Sequence, residues 1–190
     1  MKLKVLSVED CEQIRLWRNQ SLEMLRTPFP LTQEQQETFY RNIICNRQTN
    51  ARFWGIWVDC GDLQSEEECL HFIGMCGLEN ISWENRLAET SLIFNPDYSM
   101  DKYGEEALQL LLYEGFMNMN LENIYTEVYE CNPYHKFWIK QLNKYKGKLA
   151  ILPNRKYHGG RYYDSAYINF TKEDFIEHEN LISESAQTPN

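Results

Sequence analysis

The chain has 190 residues, 43% of them hydrophobic and 14% aromatic, with 28 acidic against 19 basic side chains and a net charge of −9. That length suits one domain with a sizeable core, and the apolar fraction excludes a disordered chain. The acidity argues against the generic grip on nucleic acid that a basic surface provides, although Lys136, Lys140, Lys144, Lys146, Lys148, Arg155, Lys156 and Arg161 gather positive charge in one region.

From the N-terminus, "LKVLSVEDCEQIRLWRNQ" reads as a strand over Lys2 to Leu6 and then a helix. Ser7 is its N-cap, with Asp10 three places on and Ile14, Leu16 and Trp17 as apolar positions. A proline-bounded loop, "RTPFP", leads to a second helix in which Thr32 and Gln35 form a capping box and Phe39, Ile43 and Ile44 supply the buried stripe. "RFWGIWVDC" is a strand, Phe53 to Val58, joined through the polar hairpin loop "GDLQSEEE" to the partner strand "CLHFIGMCGLENIS". Asn85 and Arg86 turn the chain into "LAETSLIFN", a strand ended by Pro96. After Gly104 a long helix is expected, with Leu108, Leu111, Leu112, Gly115, Phe116 and Met119 on one face. "NIYTEVYE" alternates as a strand, Pro133 takes the first position of a further helix, and two strands follow around the turn "HGG". Residues 179–190 are polar and expected to fray. The order implies an α/β (α+β) domain on a mixed sheet, a single domain over residues 1–178 with a polar tail over 179–190.

Six cysteines are scattered without a C-x-x-C pair, so neither a zinc site nor a disulfide framework is expected, and no metal is assigned. "MKLKVLSVED" breaks before reaching signal-peptide length, and no apolar run approaches the roughly 20 residues of a membrane span. The expectation is a reduced, soluble, cytoplasmic protein with no membrane and no nucleic-acid partner. A strand near the end, "YINF", with several exposed-looking aromatics leaves a homodimer open.

The segments "IRLWRN", "PFPLTQEQQETFYRN", "IGMCGLENI", "AETSLIFNPDY", "YGEEALQLLLYEGF", "NIYTEVYECN" and "HGGRYYD" occur in the order found in the GNAT superfamily of acyl-CoA N-acyltransferases. The chain resembles that family over about Leu3 to Phe170. It is most similar to the branch of ribosomal-protein N-terminal acetyltransferases and aminosugar N-acetyltransferases. The resemblance implies a mixed, mostly antiparallel central sheet flanked by helices on both faces, and acetyl-CoA as co-substrate. It also implies an amine acceptor (small molecule, aminosugar or protein N-terminus) attacking the thioester directly in a ternary complex.

Residue by residue, the resemblance puts acetyl-CoA against the backbone of Leu92, Ile93 and Phe94, and its pyrophosphate at the helix start with Lys102, Tyr103, Gly104 and Glu105. The family loop, Arg/Gln-x-x-Gly-x-Gly/Ala, aligns with Ser99 to Gly104 and matches only at Gly104, Lys102 standing where the family has glycine. Asn132 matches the residue that contacts the pantetheine arm, with Phe137 beyond it. Where members carry a tyrosine to protonate the thiolate, this chain has Ile139, leaving His135 or Tyr134 as acids. Glu89 is the first candidate for the base that takes the amine's proton, and Glu127 on the adjacent strand is the second. Trp17, Arg18, Arg26 and Phe29 would face the acceptor. The altered loop and Ile139 also fit a second class, a GNAT-like module that binds CoA or a partner protein without catalysis. Each of these residues has a plainer role too: a salt-bridged strand glutamate, a turn asparagine, a solvated helix arginine.

Overall fold

The structure is a computed structural model and describes residues 1–59, 69–98 and 100–187. Seven strands form one mixed sheet in the order β1-β2-β3-β4-β5-β7-β6. They are β1 (Lys2–Lys4), β2 (Arg52–Asp59), β3 (Leu70–Ser82), β4 (Leu87–Phe94), β5 (Asn123–Tyr129), β6 (Lys148–His158) and β7 (Arg161–Thr171). The helices are α1 (Val8–Asn19), α2 (Gln33–Phe39), α3 (Met100–Tyr113), α4 (His135–Lys144) and α5 (Lys172–Gln187). The chain divides into two compact units, one of residues 1–81 and 90–111, the other of residues 82–89 and 112–190.

In the first unit β1, β2 and β3 pair antiparallel. Both expected capping boxes form: Ser7 Oγ accepts from the Asp10 N–H while Asp10 accepts from the Ser7 N–H, and Thr32 and Gln35 repeat the exchange. Each satisfies two donors that a helix start leaves without intrahelical partners. α1 buries Cys11 and Ile14 against Leu6 and Met75, with Trp17, Phe53, Phe72 and Ile93 packed around them. Gly74 on β3 has a specific reason to lack a side chain. A Cβ there would lie 2.5 Å from the carbonyl oxygen of Ile93 on β4.

In the second unit β5 pairs antiparallel with β7, and β7 with β6, while β4 and β5 run parallel. Gly159 and Gly160, at φ +58° and +85°, make the β6–β7 turn. Alternation sends Ile124, Thr126 and Val128 of β5 and Ala166, Ile168 and Phe170 of β7 into the core.

α5 continues to Gln187, into the polar segment that begins at residue 179. Thr171 and Asp174 cap its start, and Phe175 anchors it between Phe116 and Tyr145 at centroid distances of 5.4 and 5.9 Å. α3 begins at Met100, so Gly104 lies inside the helix and not in the loop before it. Pro133 precedes α4 instead of starting it, since Tyr134 holds the N-cap position. Cys69 is disulfide-bonded, against the all-thiol expectation, whereas Cys11, Cys45, Cys76 and Cys131 are free. The β2–β3 ladder closes at Asp59↔Leu70, which draws the two ends of the hairpin together beside Cys69. The loop "GDLQSEEE" lies outside the described residues.

Among the described residues no helix is long and apolar enough to cross a membrane. The cations of the basic region make individual contacts. Lys146 pairs with Glu177, Arg155 with Glu127, and Lys144, Lys156 and Arg161 lie over the rings of Tyr145, Tyr129 and Tyr163.

Candidate active site

The strand alternation that buries one face of β5 and β7 leaves the opposite face polar. It carries Asn123, Tyr125 and Glu127 from β5 and Ser165, Tyr167 and Asn169 from β7, in register with one another. β4 brings Glu89 directly opposite Tyr125, and the three-pair β4–β5 ladder ends at that position. Glu89 is only 5% exposed, and the Tyr125 hydroxyl donates to its Oε2 at 3.4 Å. The ring of Tyr125 stacks on that of Tyr167, centroids 4.7 Å apart and planes at 20°.

The two carboxylates stand in different surroundings. Glu127 Oε1 accepts from Arg155 Nε at 2.8 Å and from Ser165 Oγ at 2.8 Å. Its side chain is 7% exposed, that of Arg155 51%. Both contacts of Glu127 are hydrogen bonds to an ionisable acceptor, and that from Arg155 is charge-assisted. The Tyr125 hydroxyl is a partner of Glu89. The Tyr167 hydroxyl is pushed to a higher pKa than a free phenol, first by burial and then by the charges of Glu89 and Glu127.

Sequence reasoning placed Glu89 and Glu127 on neighbouring strands, and the structure brings both to one face. It missed Tyr167, Ser165 and the engagement of Arg155. The available signal was the alternation of β7, where Ser165, Tyr167 and Asn169 fall at every second position between Ala166, Ile168 and Phe170.

On the cofactor side, Lys102, Tyr103, Gly104 and Glu105 all sit in the opening turns of α3. The N–H groups of Met100, Asp101 and Lys102 are those that helix geometry leaves without intrahelical partners. This moves the donor set toward the N-terminus from the expected Lys102, Tyr103, Gly104 and Glu105. Lys102 is exposed, its Nζ 4.7 Å from the Tyr103 ring centroid, and Tyr103 packs on Tyr98 at 5.7 Å. These donors and the ammonium suit a pyrophosphate, whereas Asp101 in the same turn opposes one. Ser99, the first residue of the aligned loop, lies outside the described residues. Leu92, Ile93 and Phe94 are half-buried on β4, where Ile93 also packs on the first unit's core.

Asn132 serves the turn before α4: its Oδ1 accepts from the Tyr134 N–H at 2.8 Å and its carbonyl from the His135 N–H at 2.9 Å. His135 is the first residue of α4 and half-buried. Phe137, expected at the cofactor, is a buried core residue edge-on to Trp138 at 5.3 Å. Its place in the first turn of an amphipathic helix turns it inward.

Of the residues expected to face an acceptor, Trp17 is packing, 5.3 Å from Phe72. Arg18 donates to the carbonyls of Phe29 and Thr27 at 3.0 and 3.1 Å and so fixes the loop after α1. Burial lowers its pKa from the usual guanidinium value. Asn19 clamps Leu31 from both sides of its amide. On that braced loop Arg26 is exposed, and Phe29 is 69% exposed.

The profile of the acetyltransferase (GNAT) domain matches residues 1–135. None of the curated proteins matches the chain. Among solved structures, a variant of the spermidine N-acetyltransferase SpeG from Vibrio cholerae superposes with a TM-score of 0.73 at 20% identity, covering 94% of this chain and 99% of that one. The spermidine N-acetyltransferase from Vibrio cholerae in complex with CoA and spermine gives 0.74 at 19% identity, covering 92% and 97%. At these identities the likeness shows the fold.

Proposed function

The chain belongs to the GNAT family of acetyltransferases, enzymes that use acetyl-CoA, and from that premise we propose that it acetylates a primary alkylamine with Glu89 as the base. The observation that carries this is the place of Glu89: its buried carboxylate lies at the end of the β4–β5 ladder on the polar face of the sheet, beside the Tyr125 hydroxyl. An alkylamine arrives mostly as its ammonium at neutral pH, and a carboxylate at hydrogen-bond reach accepts the proton that must leave before nitrogen can attack. Such a base contributes about 10²–10⁴-fold.

Acetyl-CoA supplies the activated acetyl group. The start of α3, with its free N–H groups and Lys102, would hold the pyrophosphate. In the net exchange the acceptor ammonium gives one proton to Glu89, its nitrogen then displaces the sulfur from the acetyl carbon, and the second proton lost by nitrogen ends on that sulfur, so that CoA leaves as the thiol. Tyr125 fixes the Glu89 carboxylate so that its proton-accepting oxygen keeps one orientation. The acidic polar face supports a cationic acceptor, and a fold neighbour solved with CoA and spermine supports the same class.

Thiol release from acetyl-CoA, measured over a panel of a diamine, a polyamine, an aminosugar and a peptide N-terminus, tests the reading. Turnover concentrated on the di- and polyamines is expected. Preference for the peptide or the aminosugar would move the acceptor to the ribosomal-protein or aminosugar branch. Cofactor binding without turnover on any amine would make the chain a binding module.

A further inference from the structure

Between α1 and α2, inside the first unit, lies a cavity of about 370 Å³ whose polar lining is Glu9, Glu12 and Gln13 of α1 and Gln33, Gln36 and Glu37 of α2. That volume falls in the range of small-molecule sites, about 300–1,000 Å³. Gln36 is the most buried of these residues, 4% exposed, and its side chain makes no hydrogen bond to the described residues. A buried carboxamide without a partner costs stability, and a ligand with N–H groups would satisfy it. No lysine, arginine or histidine lines the cavity. Arg15 answers Glu12 from outside the lining, with two contacts at 2.6 and 2.8 Å, and Arg41 reaches Glu37 only at 3.8 Å. Glu9 has no ion pair among the described residues. The capping boxes already occupy the N–H groups of Asp10 and Gln35 at the starts of both helices. What the cavity offers is therefore side-chain acceptors and negative charge.

We propose that this cavity is a binding site for a small alkylguanidinium, with Gln36 accepting from its N–H groups and the carboxylates of Glu9 and Glu37 answering its charge. Among the described residues no three acidic, histidine or cysteine side chains converge as metal ligands, so the carboxylates suit a charge spread over several atoms. A guanidinium is such a charge, planar, weakly hydrated and able to donate to two acceptors at once. Glu12 and Arg15 form that two-point pairing at the same cavity. A short alkyl tail lies along Val8 and the methylene stems of the glutamines and glutamates. The site uses neither Glu89 nor the start of α3, so it is independent of the acetylation reading.

The test uses n-butylguanidinium and n-butylurea, nearly identical in shape and differing by one charge, in titration calorimetry on the full chain without acetyl-CoA. The guanidinium should bind with a dissociation constant of about 1 mM or below, and at least about fivefold more tightly than the urea, the advantage of a charge-assisted over a neutral hydrogen bond. The double variant Glu9→Gln with Glu37→Gln keeps the shape of both side chains at exposed and half-buried positions, so its fold is retained. It should bring the two probes within about twofold of each other. Gln36→Leu removes an acceptor that serves both probes and should weaken each about threefold or more. No saturable binding of the guanidinium, an undiminished preference in the double variant, or unchanged affinities in Gln36→Leu would overturn the proposal. So would binding that Glu89→Gln abolishes, which would place the guanidinium on the polar face of the sheet. Failure of the acetylation reading shows separately, as absent thiol release with a primary amine.

Discussion

Replacing Arg155 by methionine separates the two carboxylates experimentally. In the native chain the buried Glu127 carboxylate has Arg155 Nε at 2.8 Å, and the arginine is itself half-exposed. Stripping the partner from a fully buried ion pair costs about 3–5 kcal/mol. Exposed pairs are worth about 0–1 kcal/mol. With one partner buried and the other half in water, the loss should fall between these, about 1–2 kcal/mol. For a chain of this length that is a drop of about 3–6 °C in thermal midpoint. Thermal midpoints from circular dichroism on the two proteins provide the comparison. No drop would mean that Arg155 does not hold Glu127, and Glu127 would return as a candidate base.

Saturating acetyl-CoA should stabilise the protein by about 2.7 kcal/mol at a hundred times its dissociation constant. Lys102→Ala should raise KM for acetyl-CoA about three- to tenfold while leaving a pantetheine fragment without pyrophosphate unaffected; equal losses for both would remove Lys102 from the phosphate seat. Burial, with the charges of Asp10 and Cys45 behind it, pushes the Cys11 thiol up to about 12. Its proton is retained on folding, so the stabilisation is complete below about 8.5, the unfolded value, and is lost as pH rises toward 12. Iodoacetamide at pH 8.5 should accordingly modify the exposed Cys45 rapidly and Cys11 only through unfolding. Modification of both at one rate would contradict this.

Local chemistry made much of the fold legible in the sequence. The pairs Ser7/Asp10 and Thr32/Gln35 announce their helices because capping is a contact between residues three apart. All seven strands follow from β-forming runs bounded by turn residues. α5 was hidden by its polar composition, although Thr171 and Asp174 carry the same capping spacing and Phe175 supplies its anchor. The start of α3 was misjudged because Gly104 reads as a loop residue, whereas Met100 is already helical and buried. At the site, the family resemblance singled out Glu89, with Glu127 as second candidate on the adjacent strand. What distinguishes them is their partners, and Arg155 and Ser165 lie 28 and 38 residues from Glu127 on other strands. Periodicity within one strand carries no information on such pairing.

The most direct measurement is kcat/KM for the amine in Glu89→Gln, followed from pH 7 toward the pKa of the amine. The substitution keeps shape and removes the proton acceptor. With Glu89 as base, kcat/KM falls by about 10²-fold or more near neutrality, and the deficit shrinks as free amine becomes abundant. Acetyl-CoA affinity stays unchanged throughout. A deficit that is constant with pH, or a recovering deficit found in Glu127→Gln and not in Glu89→Gln, would contradict the assignment.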